Sequence, residues 1–285
     1  MQTPESIATD YWGNRYVSLA LTGEISRIAP DGQVDTLAVL PIGAPLEPCT
    51  NFIAIMGALT ITPWGLYVNV AACEAADRGV WWVSPWTGAT ALVANLPPDA
   101  LPNGIAHRFG QLYVSDSSTG RIWRTSAFGG PAEIWVEDPL LDPVPTAIGA
   151  PGPNGLQFYG NELYVANSST GQLIAFPIEW GQTPGVPRVH ATLENGCDDF
   201  AFDLYGTAYC TTDPFNTVVA VYPDGESEVL LTIADGLDGP TATAFGRLSD
   251  RFGLYITNAS FPFFPNNLSP SVMRLELDVP GYPFR

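Results

Sequence analysis

The sequence predicts an all-β chain folded as a six-bladed β-propeller of four-stranded antiparallel blades, one domain over residues 1–285. Three observations carry this expectation. First, Pro102-Asn103-Gly104-Ile105 running into Gly110-Gln111-Leu112-Tyr113-Val114 returns 51 residues later as Pro153-Asn154-Gly155-Leu156 running into Asn161-Glu162-Leu163-Tyr164-Val165. Second, looser copies complete six units that begin near residues 4, 56, 102, 153, 197 and 240, a period of 43 to 52 residues. Third, the 27 prolines and 28 glycines lie between short apolar runs and not in tracts, as turns between many strands require. Self-similarity at this period is the mark of a repeat architecture. A circular array of four-stranded sheets leaves only short, protected edges. An open solenoid is the alternative, disfavoured because β-solenoid repeats are usually much shorter.

The elements of each unit follow in order. Strand A opens at Glu5, Gly57, Asn103, Asn154, Asp198 and Thr241. A glycine turn, near Trp12 or Phe109, leads into strand B, whose tyrosine is followed by Val in the first four units, by Cys210 in the fifth and by Ile256 in the sixth. A Thr-Gly turn then leads to strand C, and Pro-Asp-Gly, at Pro30-Asp31-Gly32 and Pro223-Asp224-Gly225, turns C into D. Because residue 5 already opens strand A of blade 1, blade 6 has three ways to close: with the tail Pro280–Arg285, with three strands only, or with a longer native N-terminus.

Charge narrows the function. All eleven cations are arginine, against 29 carboxylates, for a formal charge of -18. No lysine is present for a Schiff base or a P-loop, and no basic footprint for phosphate backbones, so nucleic acid is excluded as a partner. No apolar run is long enough for a spanning helix, so membrane insertion is not expected. A monomer acting on a small molecule is the expectation. Four cysteines, the acidic surface and Asn-X-Ser/Thr triplets at Asn167, Asn258 and Asn267 point to an extracellular or periplasmic address, with the cytoplasm as the alternative. The Asn167 triplet copies the Asp116-Ser117-Ser118 turn of the preceding blade, which explains it without a glycan.

In a propeller the first residue of each strand A projects toward the axis. Glu5, Asn103, Asn154 and Asp198 are hard oxygen donors of negative net charge, which calcium or another divalent cation requires, and Asp199 offers a further oxygen. The plainer alternative is that they cap strand ends and bind channel water. The opening Pro4-Glu5-Ser6-Ile7-Ala8, the Pro-Asn-Gly starts at Asn103 and Asn154, and Asp198 resemble the gluconolactonase and senescence-marker-protein family of six-bladed propellers, with paraoxonases and strictosidine synthases as distant relatives. The resemblance implies a calcium-dependent lactonase or esterase, with metal ligands at Glu5, Asn154 and Asp198, Asn103 beside the substrate, and Asp199 added as in paraoxonases. Cys197-Asp198-Asp199 replaces the Pro-Asp-Gly usual in the family's fifth blade.

Strand direction places the B–C turns and D-to-A crossings on the ligand face. Phe261, Phe263 and Phe264 on one long loop and Phe52 on a crossing are therefore expected to wall a substrate pocket, suited to a hydrophobic ester or lactone. Cys49 and Cys73, on neighbouring ligand-face loops, are expected to pair as a disulfide. Cys197 and Cys210 are expected to stay free, with Cys210 opposite Ala201. His107, four residues into a strand A, is assigned to the pocket wall, the plainer reading being a hydrogen-bonded core histidine; His190, in an outer strand, is structural. No Gly-X-Ser-X-Gly elbow exists, which disfavours a nucleophilic serine. Three functions follow: a calcium-dependent hydrolase with Asp198 as base and Asn103 at the substrate, a non-hydrolytic enzyme of the strictosidine-synthase kind, or a ligand-binding propeller without chemistry.

Overall fold

The computed structural model describes residues 2–44, 49, 53–146, 148–264 and 269–283. Five four-stranded antiparallel sheets and one three-stranded sheet follow one another in chain order around an axis. The inner strands A are Pro4–Thr9, Ile55–Thr62, Pro102–Arg108, Pro153–Tyr159, Phe200–Phe202 and Pro240–Phe245. The B strands are Arg15–Leu19, Gly65–Ala71, Gln111–Asp116, Glu162–Asn167, Ala208–Thr212 and Gly253–Asn258. Blade 5 has the shortest inner strand, but its ladder continues: Asp198 N donates to Thr211 O at 2.8 Å and Thr211 N to Asp199 O at 3.0 Å.

The core lies between neighbouring sheets, as the near-continuous apolar runs require. Tyr16, Ile25 and Leu40 of blade 1 pack on Met56, Leu66 and Val68 of blade 2. Ile7 and Val17 of blade 1 pack on Tyr255 of blade 6 and close the circle. The strand-B tyrosines are buried, and each places its hydroxyl on a partner, as Tyr16 does on Asp10 Oδ2 at 3.0 Å and Tyr209 on Asp203 Oδ2 at 3.2 Å.

The residue two after each of these tyrosines binds the blades to one another. Ser18 Oγ donates to Gly57 O, Asn69 Nδ2 to Asn103 O, Ser115 Oγ to Asn154 O, Thr211 Oγ1 to Thr241 O and Thr257 Oγ1 to Glu5 O. Each contact runs from one B strand to the start of the next inner strand. At the one junction where this position is Ala166, Gly155 N donates to Asp198 O instead, at 2.8 Å. Ser115→Ala should leave both the Asn154 carbonyl and the Gly104 N–H without partners. Buried groups so orphaned cost roughly 1–3 kcal/mol each, and the melting temperature should fall by about 5 °C. An unchanged melt would show that the contact is dispensable.

Blade 6 has three strands among the described residues, ending with Ser271–Glu276. The described part of the tail does not supply a fourth. It crosses to blade 5, where Tyr282 N donates to Phe202 O and Leu204 N to Pro280 O, and the Tyr282 ring lies tilted against Tyr159 of blade 4 at 4.7 Å. The sulfurs of Cys49 and Cys73 are bonded, whereas Cys197 and Cys210 are free and buried. Cys210 faces Phe200 and not Ala201, because a tight Asp203–Thr207 turn closes the hairpin one residue earlier than the sequence spacing implies. Asn167 and Asn258 are fully buried, their amides donating to Leu140 O and Ser271 Oγ, so neither is an acceptor for glycan in the folded chain. Asn267 lies outside the described residues.

Candidate functional site

A break in strand register aims the axial side chains. The inner strand loses register with strand B between Pro4 and Ser6, Met56 and Leu59, Pro153 and Leu156, and Pro240 and Ala242, and strand B of blade 3 shifts between Val114 and Asp116. A residue released from the ladder in this way can turn off the sheet. Glu5, Asn103, Asn154, Asp198 and Thr241 accordingly meet at a narrow waist on the axis, together with Asp199. Blade 2 presents Ala58 there, and Gly57 makes room by sitting where a Cβ would lie 2.7 Å from Asn103 O.

Above the waist opens a funnel of about 860 Å³. Its floor carries Glu5, Asn103, Asn154, Asp198 and Asp213; its wall includes Phe261, Phe263 and Phe264 with Phe215, Ile55 and Ile148. Phe261 stacks on Phe263 at 4.9 Å, and Phe264 meets Phe263 edge-on at 5.0 Å. No described residue lining the funnel is Arg or His. Asn154 Nδ2 donates to Asp198 Oδ1 and to Ser168 Oγ, and the Asn154 side-chain oxygen has no donor among the described residues. The Glu5 Oε2 and Asp213 Oδ1 atoms are buried without a hydrogen-bond partner among the described residues.

Asp199 serves differently from Asp198. Its Oδ1 accepts from Phe200 N at 2.8 Å, and it lines the waist without reaching the funnel. His107 is a correction to the sequence expectation: it lies at the opposite mouth of the channel, where Nε2 accepts from Gly110 N, because the strand from Asn103 runs away from the funnel and His107 stands near its far end. Phe52 lies outside the described residues. His190 sits in the outer strand Arg188–Thr192 against Tyr222 O. The sequence reading missed Asp213 and Phe215, which follow strand B of blade 5 on a short ligand-face turn. Asp238, which accepts from Ser260 Oγ and Ser269 N, adds charge behind Asp213. The signal was the acidic residue immediately after a B strand, passed over because only the long loops were considered.

Crowding without a counter-charge raises the pKa of these carboxyls and so weakens them as acids. Burial, then Asp213 and Asp199, lifts Glu5 to about 8. Burial lifts Asp199 to about 7 against the opposing Phe200 N–H, and burial with Asp238 lifts Asp213 to about 7. Asp198 is raised by burial and by the repulsion of Glu5, Asp213 and Asp199, eased by the Asn154 amide. A carboxyl whose folded pKa is raised stabilises the fold below its unfolded value and loses that stabilisation as pH rises through the folded one. The metal-free protein should therefore melt lower as the pH is raised from about 5 to about 8.5, losing several degrees across that range. A melt in chelator that is flat across this range would contradict the crowding.

The residues fit a hard divalent cation. Orphaned carboxylate oxygens, a free amide oxygen and the lack of a lining cation are what such an ion satisfies. Among the described residues no three His, Cys, Asp or Glu side chains are grouped to hold a metal by themselves, so a cation held here would need an amide oxygen such as that of Asn154.

Fold and site together define a six-bladed propeller with an acidic, apolar-walled central funnel. Solved structures of this architecture include a regucalcin from Agrobacterium tumefaciens, described as calcium-binding, which is 18% identical with a TM-score of 0.73 over 99% of this chain and 92% of that one. A luciferin-regenerating enzyme is 14% identical with a TM-score of 0.72 over 99% and 94%. A gluconolactonase from Xanthomonas campestris is 17% identical with a TM-score of 0.69 over 99% and 86%. The likeness to the gluconolactonase and senescence-marker-protein group expected from the sequence therefore holds for the fold. No family profile matches the sequence, and no curated protein matches it.

Proposed function

We propose that the funnel hydrolyses an uncharged, largely apolar lactone or ester with the help of a bound divalent cation, calcium by its ligand chemistry. The observation that carries this reading is the floor itself: buried, unpartnered oxygens of Glu5 and Asp213 beside Asp198 and Asn154, with no Arg or His among the described lining residues. Glu5, Asn154 and Asp198 would hold the ion, and Asp213 adds to the field that attracts it. When bound, the ion supplies a Lewis acid for the substrate carbonyl. Asp198, open to the funnel on one side, accepts the proton of the attacking water. The Asn103 amide, whose side chain has no hydrogen-bond partner among the described residues, holds a substrate oxygen. The phenylalanine wall seats the apolar part of the substrate and excludes water from the floor. Fold similarity to a calcium-binding regucalcin and to a gluconolactonase supports the reading, while the aromatic wall favours a substrate less polar than a sugar lactone.

The test is a panel of aliphatic lactones and aryl esters assayed with calcium and with chelator. Turnover that disappears on chelation and returns with calcium supports the proposal. Turnover that persists in chelator, or a panel wholly inert in calcium, overturns it.

A further inference from the structure

The channel has a second mouth, opposite the funnel and separated from it by the waist. There a cleft of about 420 Å³ is bordered by Trp12, Trp64 and Trp86, with His107 and Gln157 also lining it. The tryptophans stand on tight turns: Trp12 on the A–B turn of blade 1, Trp64 on that of blade 2, Trp86 on the C–D turn of blade 2. Trp12 and Trp86 are 65% and 67% exposed, and Phe128 beside Trp64 is 70% exposed. Turn positions are readily filled by small polar residues, so large rings held in water at three of them mark a contact surface.

The polar groups define what the surface would contact. Both charged side chains in the cleft are already engaged. Asp10 accepts from Trp12 N, Asn14 N, Asn14 Nδ2 and Tyr16 Oη. Arg247 donates to Thr9 O and lies over the Tyr11 ring at 4.7 Å. Apart from these two, the groups that remain for a ligand are neutral. His107 Nε2 accepts from Gly110 N, so Nδ1 carries the ring proton, and burial lowers the pKa and keeps the ring uncharged. The Gln157 amide and the indole N–H groups of Trp12, Trp64 and Trp86 have no hydrogen-bond partner among the described residues.

Ring geometry narrows the choice further. Trp12 meets Trp86 at 73°, Trp64 meets Phe128 at 70°, and Trp64 meets His107 at 76°. These are corners and not parallel slots, so a flat aromatic ligand cannot be sandwiched. A puckered ring can lay its C–H face on one indole, whose π face is negative, while its hydroxyls reach the indole, imidazole and amide groups of the adjoining wall. We propose that this cleft is a binding site for a neutral oligosaccharide, independent of the chemistry in the funnel.

The experiment titrates the full chain with cellohexaose, maltohexaose, xylohexaose, mannohexaose and chitohexaose, following tryptophan fluorescence and calorimetry. At least one sugar should bind, and Trp12→Ala, Trp86→Ala and Gln157→Ala should each weaken it tenfold or more. Trp180→Ala, at a ring 98% exposed on another blade, should leave binding unchanged and so control for non-specific stacking. Trp12 and Trp86 are mostly in solvent, and an unaltered circular-dichroism melt of their variants shows that the fold is kept. The proposal is overturned if no hexasaccharide binds, or if binding survives both Trp12→Ala and Trp86→Ala. It is also overturned if a polyproline peptide or phosphatidylcholine vesicles occupy the cleft and no sugar does.

Discussion

Replacing Gly155 with alanine should destabilise the protein by about 3 kcal/mol and loosen the proposed cation site with it. A Cβ at this position would stand 2.3 Å from Asp199 Oδ1, 2.5 Å from Asp199 Cα and 2.8 Å from Asp198 O. Two of these three atoms belong to the backbone, so no rotamer change relieves the collision. The inner strands of blades 4 and 5 must part, which strains the Gly155 N–H bond to Asp198 O and separates Asn154 from Asp198. The melting temperature should fall by about 10 °C, and calcium affinity by calorimetry should drop at least about tenfold. A variant that melts and binds like the parent would show that the two strands have slack.

Asp198→Asn should lower turnover at least about a hundredfold while the fold persists. An amide oxygen still coordinates a cation, so calorimetry should retain measurable calcium binding where the assay loses rate. The matched comparison is Asp199→Asn. Asp199 is directed to Phe200 N and the waist, so its loss should alter stability more than rate. Near-normal turnover by a calcium-loaded Asp198→Asn variant would dismiss Asp198 as the base and this form of hydrolysis with it.

The fold was legible because the repeat is written in residues whose roles are local. Pro-Asn-Gly starts a strand, Tyr-Val fills the space between sheets, and glycines at positive φ such as Gly13 and Gly110 close the turns. The axial set was legible for a related reason: symmetry turns six sequence positions into one place, so Glu5, Asn103, Asn154 and Asp198 needed no knowledge of side-chain packing. Asp213 escaped because its nearness to Glu5 depends on the path of one short turn, which no repeat encodes. His107 was misassigned because strand alternation gives the face of a sheet but not the height along the axis. The tail's passage under blade 5 rests on the Tyr282–Tyr159 contact, between residues far apart in sequence, and no periodicity reports it.

The stitching of each B strand to the next inner strand also bears on how the molecule comes apart. In an open array of repeats, each unit contributes its own free energy and one interface per neighbour, so the ends fray first and unfolding spreads inward. Here Thr257 returns to Glu5 and Thr241 Oγ1 to Pro4 O, and the array has no end. Opening any one blade sacrifices two interfaces at once. The ring should therefore melt as one cooperative unit, with calorimetric and van't Hoff enthalpies equal and native-state hydrogen exchange lacking any gradient from blade 1 to blade 6.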